Sequence, residues 1–286
     1  MPKLVLLTLQ APPLRELPVP TRATTAGVLQ AAADRAATGV RGALATVIGR
    51  HGSTPGTPGQ KLYLAADGTC VGTVGGGAVE RAVLEALGAM LAAMGTEAGT
   101  GVGAAKHEVR TFELGPELGM CCGGRLDVML EPVVGVVPCL VVGGGHVATE
   151  LAPMLARLGF DVTVVDSREA WAAPDRLAGV HTAVGPVEEV GGPVDPAGVC
   201  LVMTHDHALD QKAIEWALRR GFAFVGAVGS RAKAARTRYR LEAAGFPAED
   251  LARVRMPLGV DVGARLPEEI AVSIAAEMVA WKRGKA

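Results

Sequence analysis

The apolar run Cys139-Leu140-Val141-Val142 breaks directly into Gly143-Gly144-Gly145-His146-Val147-Ala148. The pattern fits G-x-G-x-x-A, follows a strand signal and opens a helix signal. About 20 residues further on, Asp166 ends the next strand signal, Asp161–Val165. A strand, a glycine turn, a helix and a second strand ending in a carboxylate point to a doubly wound parallel sheet. Glycines allow the tight turn and let the backbone approach a pyrophosphate. The helix N-terminus adds free N–H donors and a favourable dipole. Asp166 suits ribose hydroxyls, and Arg168 is compatible with a 2′-phosphate. The same turn also serves purely for packing, so the motif specifies the fold more strongly than a bound nucleotide.

The rest of this half keeps the alternation. Strand signals at Gly198–Met203 and Phe222–Val225 are each followed by a helical pattern, and a last helix runs from Pro267 to Lys282 with proline in its first turn. The expected fold class is α/β: a C-terminal Rossmann-like parallel-sheet domain over 138–286 and an N-terminal α+β domain over 22–132. Residues 1–21, rich in Pro and Leu, form an extension, and Pro132–Val137 is the domain junction. In the N-terminal domain a helix from Thr24 or Thr25 to Ala37 precedes a strand at Ala43–Ile48. The Gly- and Pro-dense stretch Arg50–Gln60 follows as a loop. Lys61–Ala65 and Thr69–Val74 pair about an Asp67-Gly68 turn, and Gly75-Gly76-Gly77 opens a helix to Met94. Two further strands, His107–Glu113 and Arg125–Glu131, flank a second Gly-rich loop.

Composition narrows the function. Among 286 residues, 28 basic against 29 acidic side chains leave a net charge of −1, and aromatics are only 3%. Neither the basic footprint nor the stacking platform of a general nucleic-acid binder is present. The longest apolar run, Val133–Val142, carries Gly135 and Pro138 and falls far short of the ~20 residues a membrane helix needs. Leu4–Leu9 is followed at once by Gln10, Pro12 and Pro13, which does not suit a signal peptide. Five cysteines in a chain this long are not a disulfide framework, so the expected compartment is the cytoplasm. A net charge near zero gives little protection against self-association, and a homo-oligomer is expected.

Three further constellations carry chemistry. Thr204-His205-Asp206-His207-Ala208-Leu209-Asp210 follows a strand, at the sheet end where ligands of such folds bind. His205 and His207 are candidates for metal ligation or proton donation. The alternative is that Thr204 or Asp206 caps the next helix and the imidazoles only satisfy nearby backbone. Gly229-Ser230-Arg231 forms another strand-to-helix turn, with Ser230 a natural cap and Arg231 a phosphate partner. The run Lys233, Arg236, Arg238, Arg240 reads either as support for such a site or as a solvated basic helix. Cys121-Cys122-Gly123-Gly124 occupies a loop, where thiolates suit soft-metal or persulfide chemistry or merely pack in a tight turn. Cys70, Cys139 and Cys200 fall in apolar strands and read as inert core residues. The Ser53–Gly56 loop and the Gly75–Gly77 turn are lesser anion candidates, for which tight-turn geometry is the stronger account.

In this order, RHGSTPGTPGQK, GTVGGGAVE, LGMCCGG, VVGGGHVA, MTHDHALD and VGAVGSRAKAARTRYRL resemble the XdhC/CoxI family over roughly residues 25–283. The resemblance implies a chaperone rather than a metabolic catalyst. Such proteins bind molybdenum cofactor, as molybdopterin or its cytosine dinucleotide form. They present it to a cysteine desulfurase for sulfuration and deliver it to the apo form of a xanthine dehydrogenase-like molybdenum hydroxylase. On that reading Gly143, Gly144, Gly145, His146, Gly229, Ser230 and Arg231 hold the phosphate end, and Asp166 meets a ribose. Thr204, His205, Asp206 and His207 contact the pterin or metal region, and Cys121 or Cys122 approaches the metal. The fingerprint with Asp166 alone supports a second reading, an NAD(P)-dependent oxidoreductase.

Overall fold

The computed structural model describes residues 17–95, 106–114, 123–191 and 198–285. They fall into two compact units that meet in sequence at Val136 and Val137. The first is an α+β unit and the second a Rossmann-like parallel-sheet unit, as the alternation of signals predicts.

In the first unit the described strands are β1 (Gly42–His51), β2 (Lys61–Ala65), β3 (Cys70–Gly72), β4 (Glu108–Glu113) and β5 (Arg125–Val133). They form an antiparallel sheet in the order β3-β2-β1-β5-β4. Alternation sorts its side chains to two faces. Ala43, Ala45, Val47, Leu62 and Leu64 pack under α2 (Gly77–Gly95), which offers Val79, Val83, Leu87 and Met90. Leu44, Tyr63 and Ala65 meet Val28 and Ala32 of α1 (Thr25–Ala37), whose N-cap Thr24 Oγ1 accepts from Gly27 N at 3.2 Å. The Asp67-Gly68 turn forms as expected, with Asp67 Oδ1 accepting from Thr69 N at 2.9 Å. β1 is longer than its apolar run. A bulge between Val47 and Gly49 lets pairing with β5 continue to His51↔Arg125. Leu17 packs on the core and Thr21 pairs with Val71 of the edge strand β3, so these two residues belong to the first unit rather than to a detached extension.

The second unit has β6 (Val137–Val142), α3 (His146–Arg157), β7 (Phe160–Asp166), β8 (His181–Val184), α4 (Val187–Val190) and β9 (Val199–Val202). It continues with α5 (His207–Arg220), β10 (Phe224–Ala227), α6 (Arg231–Ala243), α7 (Ala248–Ala252), β11 (Val254–Arg255) and α8 (Pro267–Lys282). All pairings are parallel, in the order β8-β7-β6-β9-β10-β11. Strands β9 and β10 are buried throughout, as strands covered on both faces must be. One face carries α4, α5, α6 and α7 over Leu140, Val142, Cys200, Val202 and Val225. On α3, whose residues are absent from that cluster, Leu151 and Leu155 are buried and the helix packs against α8. From β6 the chain first adds strands to one side, then returns to add β9–β11 on the other. The carboxyl ends of β6 and β9 therefore border the crevice where such folds take ligands. Short β8 and β11 carry no long apolar run, and sequence periodicity alone does not identify them. No described helix is long and apolar enough to cross a membrane.

Candidate functional site

The glycine turn after β6 is built by close approach. Gly143 has φ +106°, and a Cβ there would stand 2.6 Å from the Met203 carbonyl oxygen. At Gly144 a Cβ would lie 2.1 Å from the Trp171 carbonyl oxygen. Gly145, the N-cap of α3, has open space where its Cβ would be. The first two glycines thus serve packing, and the third leaves the α3 N-terminus accessible to a ligand.

Asp166 closes this turn from β7. Its Oδ2 accepts from Gly144 N at 2.9 Å and Arg168 Nη2 at 2.8 Å. Its Oδ1 accepts from Arg168 N at 3.0 Å and Arg168 Nε at 2.9 Å. Burial works against the charge, but the hydrogen bonds from Arg168 and Gly144 outweigh it and hold the carboxyl below its ordinary range. Each oxygen already accepts two hydrogen bonds, so a ribose hydroxyl would have to displace one of them. Arg168 also lies 4.7 Å from the ring of Trp171, which Arg176 approaches at 4.4 Å and His146 meets edge-on at 5.3 Å.

Beside this turn lies a cleft of about 580 Å3, wholly within the second unit. Three helix N-termini open onto it: Gly145, His146 and Val147 of α3, His207 of α5, and Gly229 and Ser230 before α6. Thr204 and His205 stand between them, and Trp171, Met203, Val228 and Pro267 supply apolar wall. Arg168, Lys233 and Arg236 complete the lining, and no carboxylate lines it among the described residues. Arg168 is paired with Asp166 and Lys233 with Asp210, so Arg236 and the three helix N-termini supply the positive character of the site.

The other predicted residues are placed differently. Asp206 caps α5, accepting from Ala208 N at 2.7 Å and Leu209 N at 3.0 Å; these two bonds hold its carboxyl below the ordinary range. Arg231 is 88% exposed and pairs with Asp261 at 3.2 Å. Gly143 and Asp166 line a separate, smaller chamber on the other side of the turn. Cys121 and Cys122 lie outside the described residues, and among the described residues no group of three or more His, Cys, Asp or Glu side chains is placed to hold a metal ion. Cys70, Cys139 and Cys200 are buried, and burial raises all three thiols, Cys70 to about 12. In the first unit the Gly75 turn packs on Pro55 and Gly56. The amides there are already met by Glu80, which accepts from Val74 N at 3.2 Å and Gly76 N at 3.3 Å.

Lys233, which the sequence leaves open as part of a solvated basic helix, proves to be inward. The cap supplies the signal: Ser230 Oγ accepts from Lys233 N at 3.2 Å, placing Lys233 in the first turn of α6. Its ammonium donates to Asp210 and, at 3.1 Å, to the Val228 carbonyl. Asp210 Oδ1 also accepts from Thr204 N at 3.0 Å and Thr204 Oγ1 at 2.7 Å. The loop after β9 and the starts of α5 and α6 are thereby tied together at the cleft wall.

Comparison with known proteins matches residues 139–278 to the XdhC Rossmann domain and residues 35–100 to the XdhC and CoxI family. The chain belongs to the XdhC and CoxI family. The uncharacterized protein YqeB of Escherichia coli (strain K12) is 33% identical over 252 residues, 84% of this chain and 43% of that protein. A probable xanthine dehydrogenase subunit of Bacillus subtilis (strain 168) is 28% identical over 147 residues, 50% of this chain and 42% of that protein. The chain thus spans less than half the length of these relatives. A crystal structure of a xanthine dehydrogenase from Bacillus halodurans aligns at 18% identity with a TM-score of 0.49, covering 92% of this chain and 97% of that one.

Proposed function

We propose that this XdhC-family chain is a cytoplasmic accessory protein that binds molybdenum cofactor, shields it during sulfuration and passes it to a xanthine dehydrogenase-like molybdenum hydroxylase. Family membership supports a xanthine dehydrogenase-linked accessory role. The observation that carries the binding step is the cleft onto which three helix N-termini and Arg236 open, with no carboxylate among its described lining residues. Such a site takes a multiply charged phosphate ester. The amides at Gly145–His146 and Ser230 meet the phosphate end and Arg236 neutralises it, while Arg168 and Lys233, paired to Asp166 and Asp210, hold the wall in place. Met203, Val228 and Trp171 exclude water from the rest, with His205 and His207 as polar partners. The bound cargo supplies the molybdenum centre that the client enzyme uses. A cysteine desulfurase is the proposed sulfur donor, and Cys121 and Cys122 are the proposed thiols for contact with the metal.

Co-expression with the cofactor pathway and a candidate apo-hydroxylase tests this. Molybdenum and pterin should stay with the purified chain through gel filtration, and Arg236→Glu should reduce both at least several-fold. Absence of both from the wild-type chain, or retention unchanged in Arg236→Glu, would overturn the reading. Client activation by Cys121→Ala/Cys122→Ala tests the thiol role separately. The strand order and glycine turn also favour an NAD(P)-dependent oxidoreductase; saturable NADH or NADPH binding with turnover of a carbonyl substrate would select that reading instead.

A further inference from the structure

The last helix, α8, closes the second unit with one face and leaves the other without a cover. Ala271, Ile274, Ala275, Met278 and Trp281 are buried, and the helix packs against α3. On the opposite side Val272 is 56% exposed, Val279 is 38% exposed and Ala276 is exposed. These three follow one another at intervals of four and three residues, so they form a single apolar stripe. Of the thirteen large apolar side chains that the described residues expose, five fall within residues 260–279: Val260, Val262, Leu266, Val272 and Val279. Such a concentration marks a surface that another protein covers.

The charges at the ends of the stripe say which protein. Glu269 caps the helix, accepting from Arg265 N at 2.7 Å and Leu266 N at 3.0 Å. Glu277 accepts from Gly259 N, and Lys282 Nζ donates to the carbonyls of Leu158 at 3.0 Å and Gly159 at 3.1 Å. Glu268 and Arg283 are exposed, and their side chains have no hydrogen-bond or ion-pair partner among the described residues. At the helical rise of about 1.5 Å per residue they stand about 22 Å apart and cannot reach each other. The helix dipole favours a carboxylate at the start and a guanidinium at the end, but it explains neither exposed valine. A second copy of α8 laid antiparallel explains both. With Val272 facing the partner's Val279, Glu268 faces the partner's Arg283, and two-fold symmetry repeats each contact. Ala276 stands at the crossing, where a small side chain lets the helices approach. A crossing about 20° from antiparallel keeps both ends in reach.

We propose that this chain forms a two-fold symmetric dimer through the exposed stripe of α8, with Val272 on the partner's Val279 and Glu268 on the partner's Arg283. This gives the homo-oligomer expected from the near-zero net charge a specific face. Pro267, next to Glu268, lines the anion cleft, so the same contact brings the partner's Arg283 to the border of that cleft. The dimer does not depend on what the cleft binds.

Sedimentation velocity on the full chain tests this over roughly 1–100 µM, the range expected for an interface of modest area. The wild type should sediment as a dimer at the upper concentrations. Val272→Asp, at an exposed position, should be monomeric throughout. Glu268→Arg or Arg283→Glu alone sets like charges across the interface and should weaken dimerisation about tenfold or more. Glu268→Arg/Arg283→Glu exchanges the pair and should restore dimerisation to within a few-fold of wild type. Urea unfolding followed by tryptophan fluorescence should show all four variants folded. A wild type that stays monomeric, or a dimer unmoved by Val272→Asp, overturns the proposal. So do single charge reversals without effect, or a double variant that associates no better than the single ones.

Discussion

Lys233, in the first turn of α6, is ion-paired to Asp210, in the first turn of α5, with side chains only 13% and 3% exposed. The pair joins the first turns of two helices that border the cleft. A buried ion pair is weak evidence for net stability, but removing one partner leaves an uncompensated charge. Asp210→Ala should therefore destabilise the second unit by about 3–5 kcal/mol. Lys233→Met/Asp210→Leu should recover most of that loss. The chain's three tryptophans, Trp171, Trp216 and Trp281, all lie in this unit, so urea unfolding followed by tryptophan fluorescence reads it selectively. Strict additivity of the two single substitutions would show that the pair does not act as a unit.

Gly144 and Gly145 are neighbours with opposite roles. Gly144→Ala places a methyl group against the Trp171 carbonyl and should lower stability by about 1–3 kcal/mol, shifting the tryptophan spectrum. Gly145→Ala meets nothing within 4 Å and should cost about 1 kcal/mol or less while weakening pyrophosphate binding. Equal destabilisation by both would contradict this division.

Asp166 sets an acid limit. Its carboxyl is held below the ordinary value of 3.8, so the folded state favours the ionised form. The stabilisation is complete above that ordinary value and fades as pH falls through the lower folded value. Asp166→Asn should therefore be less stable than wild type at pH 7, by about 1–3 kcal/mol, because the amide keeps one acceptor oxygen where four donors from Gly144 and Arg168 need two. The gap should narrow on acidification below about pH 4. A gap that widens there would reverse the sign.

Cys70, Cys139 and Cys200 are buried with raised thiols and should resist a thiol reagent at pH 8 in the folded chain. Peptide mapping by mass spectrometry should find them modified only after denaturation. Native labelling at any of the three would mean that its strand opens readily.

The division between what was legible in the chain and what was not follows physical range. Glycine turns, caps and apolar periodicity act over a few residues. The turn at Gly143–Ala148, the caps at Thr24 and Ser230, the Asp67-Gly68 hairpin and the last helix from Pro267 to Lys282 are accordingly readable from sequence. So is the pairing of an α+β unit with a parallel α/β unit.

Strand order, and the fate of each polar side chain, depend on partners far along the chain. Asp166 looks free in sequence, yet its carboxylate is taken up by Gly144 and Arg168. Asp206 and His205 are neighbours, yet one caps a helix and the other lines a cleft. Lys233 reads as one of a run of solvated cations, and only the meeting of α5 with α6 turns it inward onto Asp210. Local sequence determined the elements and their anion-ready ends. Parallel pairing in the order β8-β7-β6-β9-β10-β11 decided which of those ends share a cleft, because only that order sets the ends of β6, β9 and β10 side by side.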